Sequence, residues 1–289
     1  NVEETDRLYS IVKKFSEGAT LLHSTRDKND VRAEVQDAMN QFRVDFYAPS
    51  KQKRDNLIGQ IEAGAMTSED LPKDVLTTLL ANADRLALPD DVAFREICFY
   101  LQAGAHSTAN AFTHTVDDLF TWGEEKPEDL ELARSELAFV QRCMHESLRL
   151  SPASPVAMRT PLSDVQLSDG TLLPKGSEVT LDLVSANQDP SVFGETAHIY
   201  NPHRETPEGI TRWGMSFGAG THACVGAELD GGLEIDEDRP EKEALYGTVA
   251  IMVHAFLSAG GQKDPENPPL LDPNSERKHF SSYPVLFLN

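Results

Sequence analysis

Apolar residues recur at helical spacing through the first half of the chain: Leu8, Ile11, Val12 and Phe15, then Val31, Val35, Ala38, Met39 and Phe42. Pro49 either interrupts the second of these helices or opens a further one. Between residues 60 and 89, turns at Gly64, Pro72 and Pro89 flank a helical stretch from Val75 to Ala83. From Asp90, a fitting N-cap, to Gly123 runs one long segment, apolar nearly all round, with Phe94, Ile97, Phe99, Tyr100, Leu101, Ala105, Phe112, Val116 and Phe120. A helix without a polar stripe runs through the interior of a domain, so this segment is expected to be the central beam of the fold. Pro127 to Leu150 predicts more helix, halted at Ser151-Pro152. Then the period changes. Val156 to Thr160, Val165 to Leu167 and Glu178 to Val184 read as short strands, with turns at Asp169-Gly170 and Lys175-Gly176. Beyond Cys224 a helix is broken by an acidic stretch and resumes from Ala244 to Ala259, and Tyr283 to Leu288 reads as a closing strand. The expected architecture is one mainly α domain over residues 1–289 with small β regions.

Composition narrows the partners. The chain has 289 residues, of which 39% are hydrophobic, enough for a packed core. Its formal charge of −21 excludes a coating of nucleic acid or anionic lipid, since phosphates require an excess of Lys and Arg. No apolar run approaches the ~20 residues of a membrane helix. Three scattered cysteines, Cys98, Cys143 and Cys224, do not make a disulfide framework and point to a reducing cytoplasm. The chain opens on Asn1 rather than Met and without a secretory pattern, as a piece of something longer would.

Three windows carry candidate chemistry. Phe217 to Gly226 holds three glycines, His222 and Cys224. Glycines let the backbone bend sharply and approach a bulky group, and a cysteine before a helical pattern has its thiolate, the metal-binding form, stabilised. The plain alternative is a glycine-rich turn with a buried thiol. A Gly-x-Gly-x-x-Ala match to a dinucleotide loop lacks its preceding strand and βαβ unit and is set aside. Glu146 and Arg149 share a helix face three residues apart, by default an exposed ion pair. His145-Glu146 mimics the start of a zinc-protease motif, but Arg149 stands where the second His belongs. In Ala103-Gly104-Ala105-His106-Ser107-Thr108, small residues and hydroxyls either make a groove for a flat ligand or allow close helix packing, and taken alone the second reading is favoured.

In order and content these windows resemble the cytochrome P-450 family of haem-thiolate monooxygenases. Phe217 to Gly226 matches every position of its Phe-Gly-x-Gly-x-His-x-Cys-x-Gly loop, and Glu146 with Arg149 matches its Glu-x-x-Arg signature. Pro155 to Arg159, Pro174-Lys175-Gly176, Ala186 to Pro190 and Pro202-His203-Arg204 resemble it as well. The resemblance implies a helical fold around a buried haem b (iron protoporphyrin IX) with Cys224 as iron ligand, supplying electron density that favours O–O cleavage. It implies His222 and Arg159 as partners of the haem propionates, with Phe217 and Gly218 in the ligand loop and Ala103 and Gly104 over the distal face. Phe99, Tyr100, Pro155, Val156 and Ala157 would line the substrate cavity. Glu146, Arg149 and Arg204 would form a buried structural network. Implied partners are a small organic substrate and a ferredoxin with its reductase, for a bacterial-type, cytoplasmic, monomeric enzyme.

The chain departs from the family in three places. Where the family's distal helix has an acid followed by Thr, this sequence has His106 and Ser107, followed by Thr108. A proton relay through these three remains chemically open, because imidazole exchanges protons near neutrality. From Glu228 to Glu243 an apparent insertion carries eight acids and two bases, either a solvated loop or a modulator of partner docking. The family's N-terminal portion is absent, and the chain enters near the F helix. Other haem-thiolate chemistry (peroxygenase, nitration or rearrangement) and a non-catalytic haem-binding fragment are the alternatives.

Overall fold

Helix α1 (Val2–Ala19) packs along α2 (Lys28–Phe42) because each presents an apolar stripe to the other, Ile11 and Phe15 facing Ala38 and Phe42. Asp27 caps α2 by accepting from the amides of Asn29 and Asp30, the groups that a helix start leaves without partners. In this computed structural model, residues 2–233 and 245–287 are described. They form two compact units, one comprising residues up to His106 with Pro273–Glu276, the other Ser107–Asp272 with the chain from Arg277 onward.

In the first unit α2 does not end at Phe42. It passes through a π-helical turn, Arg43–Tyr47, into α3 (Ala48–Glu62), and Pro49, which has no N–H to donate, sits in the first turn of α3 just after it. Pro49 therefore opens a further helix. The turn brings Tyr47 into the core, where its ring meets Phe94 edge-on with centroids 5.1 Å apart. Phe15, Phe42, Leu76, Phe94 and Cys98 complete that core. The stretch expected as one helix from Val75 to Ala83 is α4 (Val75–Ala81), capped by Asp74, followed by α5 (Ala83–Leu86). Pro273–Glu276 joins this unit through a bridge between Ser275 and Ser24 and a hydrogen bond from Thr25 Oγ1 to the Pro273 carbonyl.

Helix α6 spans Asp90–Glu125, as long as its apolar pattern predicts. It is not buried all round: Phe99 and Tyr100 are 52% and 45% exposed, and Gly104 and Ala105 are exposed too. A Cβ placed on Gly104 would meet nothing within 4 Å, so close helix packing does not account for that glycine.

In the second unit the expected helix from Pro127 to Leu150 is two, α7 (Pro127–Ser135) and α8 (Leu137–Leu150), parted at Glu136, whose backbone is extended. Leu119 of α6, Val140 and Met144 of α8, and Val249, Val253 and Leu257 of α12 (Thr248–Ser258) form its core. Strand β1 (Val156–Arg159) pairs antiparallel with β4 (Val179–Asp182). Strand β2 (Val165–Gln166) pairs with β3 (Leu172–Leu173), the hairpin that Asp169-Gly170 turns. The strand expected from Glu178 to Val184 gives way at Leu183 to α9 (Leu183–Asn187), because Asp182 caps a helix there by accepting from the Ser185 amide. After α10 (Pro190–Phe193) come the ligand-loop region and α11 (Ala227–Gly231). Strand β5 (Gly261–Lys263) pairs with β8 (Val285–Phe287), the closing strand, and β6 (Leu270–Leu271) with β7 (Phe280–Ser282). Most of the acidic segment, residues 234–244, and the expected start of the resumed helix at Ala244 lie outside the described residues.

Asp118 on α6 sits beside Ser147 of α8, and its Oδ2 is sealed from solvent. Burial pushes its carboxyl up to about 6, with Ser147 pulling the other way. An acid with a raised native pKa holds its proton more tightly folded than unfolded. Ionisation therefore costs the fold stability as pH rises from about 4 to about 6, and that cost persists above. Asp118→Asn should accordingly raise stability at pH 7 by up to about 3 kcal/mol and converge with the parent chain below pH 4, measured by urea unfolding across pH. A variant less stable at pH 7 would contradict this.

Candidate functional site

The site begins with a charge problem. Glu146 and Arg149 lie one turn apart on α8, Arg149 is 0% exposed, and an unpaired buried guanidinium would be untenable. Arg149 donates from Nε and Nη2 to the two Glu146 oxygens at 2.8 and 2.7 Å, and from Nη1 to the carbonyls of Asn187 and Ala197 at 2.6 Å each. Its guanidinium also lies 4.8 Å from the centroid of the Phe193 ring. Arg204, likewise buried, donates from Nε to Glu146 Oε1 at 3.0 Å and from its other nitrogens to the carbonyls of Phe193, Thr196 and Ile199. Glu146 Oε1 further accepts from the Asn201 amide at 3.1 Å. One carboxylate between two guanidiniums, with carbonyls taking the remaining donors, satisfies the groups that burial strips of water. The ordinary exposed ion pair is thus excluded, and the structure brings Glu146, Arg149 and Arg204 together.

From this network hydrogen bonds lead toward the cysteine loop. Asn187 Nδ2 donates to the Arg149 carbonyl at 2.9 Å, while its Oδ1 accepts from the Met215 amide at 2.6 Å. Ser216 Oγ donates to the Leu148 carbonyl at 2.7 Å. Gly214 takes a φ of +58°, and a side chain there would strike Asn187 Oδ1, so only glycine lets the chain pass this amide.

The loop itself is bent at Gly218 and Gly220, with φ of +69° and +67°. The Cys224 amide donates back to the Phe217 carbonyl at 2.8 Å, closing the loop so that the thiol is left exposed at its rim. The buried-thiol alternative therefore fails for Cys224. It describes Cys98 and Cys143 instead, whose thiols burial pushes up to about 11 and about 12. His222 is exposed beside Cys224, and Arg159 donates to the Met158 carbonyl at 2.8 Å. Pro155, Val156 and Ala157 are half-buried at the start of β1. Ala103, Gly104 and His106 belong to the first unit, with Phe99 and Tyr100, while Ser107 and Thr108 belong to the second. Thr108 Oγ1 donates to Asp230 Oδ2 at 2.8 Å, which engages the hydroxyl counted above as a relay member. Burial pushes the Asp230 carboxyl up. Among the described residues no group of three or more His, Cys, Asp or Glu is set to hold a metal ion, and no helix is long and apolar enough to cross a membrane.

On α8 the sequence pattern leaves Gln141 unmarked and offers His145 only as half of a failed zinc motif. Gln141 Nε2 lies 3.0 to 3.3 Å from the carbonyls of Gly231, Leu233 and Leu245. His145 Nε2 meets the Gly231 carbonyl at 2.7 Å, so that nitrogen carries the proton, and burial pushes the imidazole down to about 4. Their spacing of four, on one helix face, was the available signal.

A thiol presented from a glycine-bent loop, on a mainly helical scaffold with a sealed carboxylate–guanidinium network, defines the class. Residues 121–229 match the family model described as cytochrome P450. A putative cytochrome P450 133B1 of Xylella fastidiosa is 30% identical over 153 residues, covering 52% of this chain and 35% of that protein. A putative cytochrome P450 126 of Mycobacterium tuberculosis is 28% identical over 186 residues, covering 63% and 42%. Among solved structures, CalO2 superposes with a TM-score of 0.68 at 18% identity, covering 96% of this chain and 60% of that one. HmtT, described as involved in himastatin biosynthesis, gives 0.65 at 24%, covering 99% and 63%. The family-model match covers a little over a third of the chain, and the two solved structures share its fold. The chain spans 35% and 42% of the length of these two curated relatives.

Removing the carboxylate strands two buried guanidiniums. Glu146→Ala should cost about 3–5 kcal/mol in denaturant unfolding. A loss below about 1 kcal/mol, the range of an exposed pair, would contradict the role of the network.

Proposed function

We propose that the chain is the haem-binding part of a haem-thiolate monooxygenase that oxidises a small organic substrate. The observation that carries this reading is the exposed Cys224 thiol on a loop closed by the Cys224–Phe217 hydrogen bond. A soft sulfur donor with glycines on either side, in a structure where no group of three or more His, Cys, Asp or Glu is set to hold a metal ion among the described residues, fits haem iron rather than a multi-ligand metal site. When bound, haem b supplies the activation of dioxygen with two electrons from a partner, here a ferredoxin served by its reductase.

The chain's own residues bind and orient. Cys224 offers the thiolate. His222 and Arg159 hold the propionates, Phe217 and Gly218 shape the loop, and Ala103 and Gly104 present a low-profile helix surface to the flat macrocycle. Phe99, Tyr100, Pro155, Val156 and Ala157 supply apolar contacts to substrate. His106 and Ser107 hold and pass protons, and Thr108, tied to Asp230, keeps that stretch of α6 in place. We place the enzyme in the cytoplasm as a monomer. A second reading, haem-thiolate chemistry other than hydroxylation, is favoured by His106 and Ser107 standing where the family has an acid and Thr, and by the engagement of the Thr108 hydroxyl.

After loading with haem, the reduced, carbon-monoxide-bound spectrum should show thiolate ligation, and Cys224→Ser should abolish it. An imidazole-type spectrum, or an unchanged one in the variant, would refute the assignment. Replacing His106 by Glu and Ser107 by Thr should increase product formed per electron pair, as an altered relay or chemistry other than plain hydroxylation requires. An unchanged ratio would contradict both.

A further inference from the structure

His145 touches both flanks of the Cys224 loop. On the N-terminal side its ring meets Trp213 edge-on with centroids 4.7 Å apart, and Trp213 meets Phe217 in the same way at 5.4 Å. Phe217 in turn supplies the carbonyl that accepts from the Cys224 amide. On the C-terminal side, His145 Nε2 donates to the carbonyl of Gly231, the last residue of α11, at 2.7 Å. The two flanks also meet directly, since a Cβ on Gly231 would lie 2.9 Å from the Phe217 ring. His145 is 0% exposed, so its N–H has no water to fall back on if the Gly231 carbonyl moves away. Gln141, one turn earlier, reaches the same carbonyl at 3.3 Å and the backbone beyond it.

We propose that His145 is a positioning residue for Cys224, a neutral donor on α8 that fixes the spacing between the two ends of the thiol-bearing loop. Mechanically the ring works as a spacer on one flank and the N–H as a tether on the other. The Glu146 network anchors the loop through Asn187 on its N-terminal side, while beyond Cys224 His145 and Gln141 act together with the Thr108–Asp230 bond. The consequence for haem rests on the thiolate reading above; the consequence for loop order does not.

The test is hydrogen exchange on the full chain, without and with haem. His145→Phe keeps a ring against Trp213 and removes the donor. The amides of Cys224, Asp230 and Gly232 should then exchange about tenfold faster, while those of Arg149 and Val253 keep their protection. His145→Gln, which restores a donor, should bring Asp230 and Gly232 back toward the parent rate. Trp213→Leu, made as well in case the first variant does not fold, should speed the Cys224 amide and spare Gly232. In the haem-loaded chain His145→Phe should lower the thiolate-ligated fraction of the reduced carbon-monoxide complex. Unchanged loop exchange in folded His145→Phe, equal acceleration of loop and Val253 amides, or no effect of Trp213→Leu on Cys224 would each overturn the proposal. A parent chain that binds no thiolate-ligated haem would count against the proposed function alone, because the exchange arm needs no haem.

Discussion

Removing the Arg149 guanidinium from water is the constraint on which the second unit depends. No single partner can compensate a buried guanidinium. Here it requires Glu146 on its own helix, the Asn187 and Ala197 carbonyls far along the chain, and the Phe193 ring. Those requirements pull α9, α10 and the segment around Ala197 onto α8. They also place Arg204 against the same carboxylate. The polypeptide between Asn187 and Arg204 has little freedom once these bonds are made, because its carbonyls are acceptors for the two arginines.

The cysteine loop inherits its position from that arrangement. Asn187 links the Arg149 backbone to the Met215 amide, Gly214 turns past it, and Phe217 receives the Cys224 amide. His145 and Gln141 add a second attachment beyond Cys224. The result is an exposed thiol on a backbone that is held on both sides. Exposure without order would give a reactive cysteine, and order without exposure would give an inert one such as Cys143.

Local pattern made much of this legible. The length of α6 and the hairpin at Asp169-Gly170 can be read from spacing and residue type, whereas Glu146, Arg149, Phe217 and Cys224 stand out only through the family resemblance, spacing alone giving the first two as an exposed ion pair. What could not be read depends on distant partners. The π-helical turn at Arg43–Tyr47 carries Tyr47 onto Phe94, a partner nearly fifty residues later that no local spacing marks. The exposure of Phe99 and Tyr100 reverses the expectation drawn from an apolar sequence, since hydrophobicity reports what a side chain prefers and not what covers it. His145 looked like half of a failed zinc motif. Its partners, Trp213 and Gly231, lie more than sixty residues away and share no spacing with it.

The central claim is that this scaffold exists to hold Cys224 as an iron ligand. X-ray absorption at the iron edge of the haem-loaded chain tests it most directly. The account predicts one sulfur in the coordination sphere of the iron, lost when Cys224 is replaced by Ser. Coordination by nitrogen and oxygen alone in the unaltered chain would contradict it.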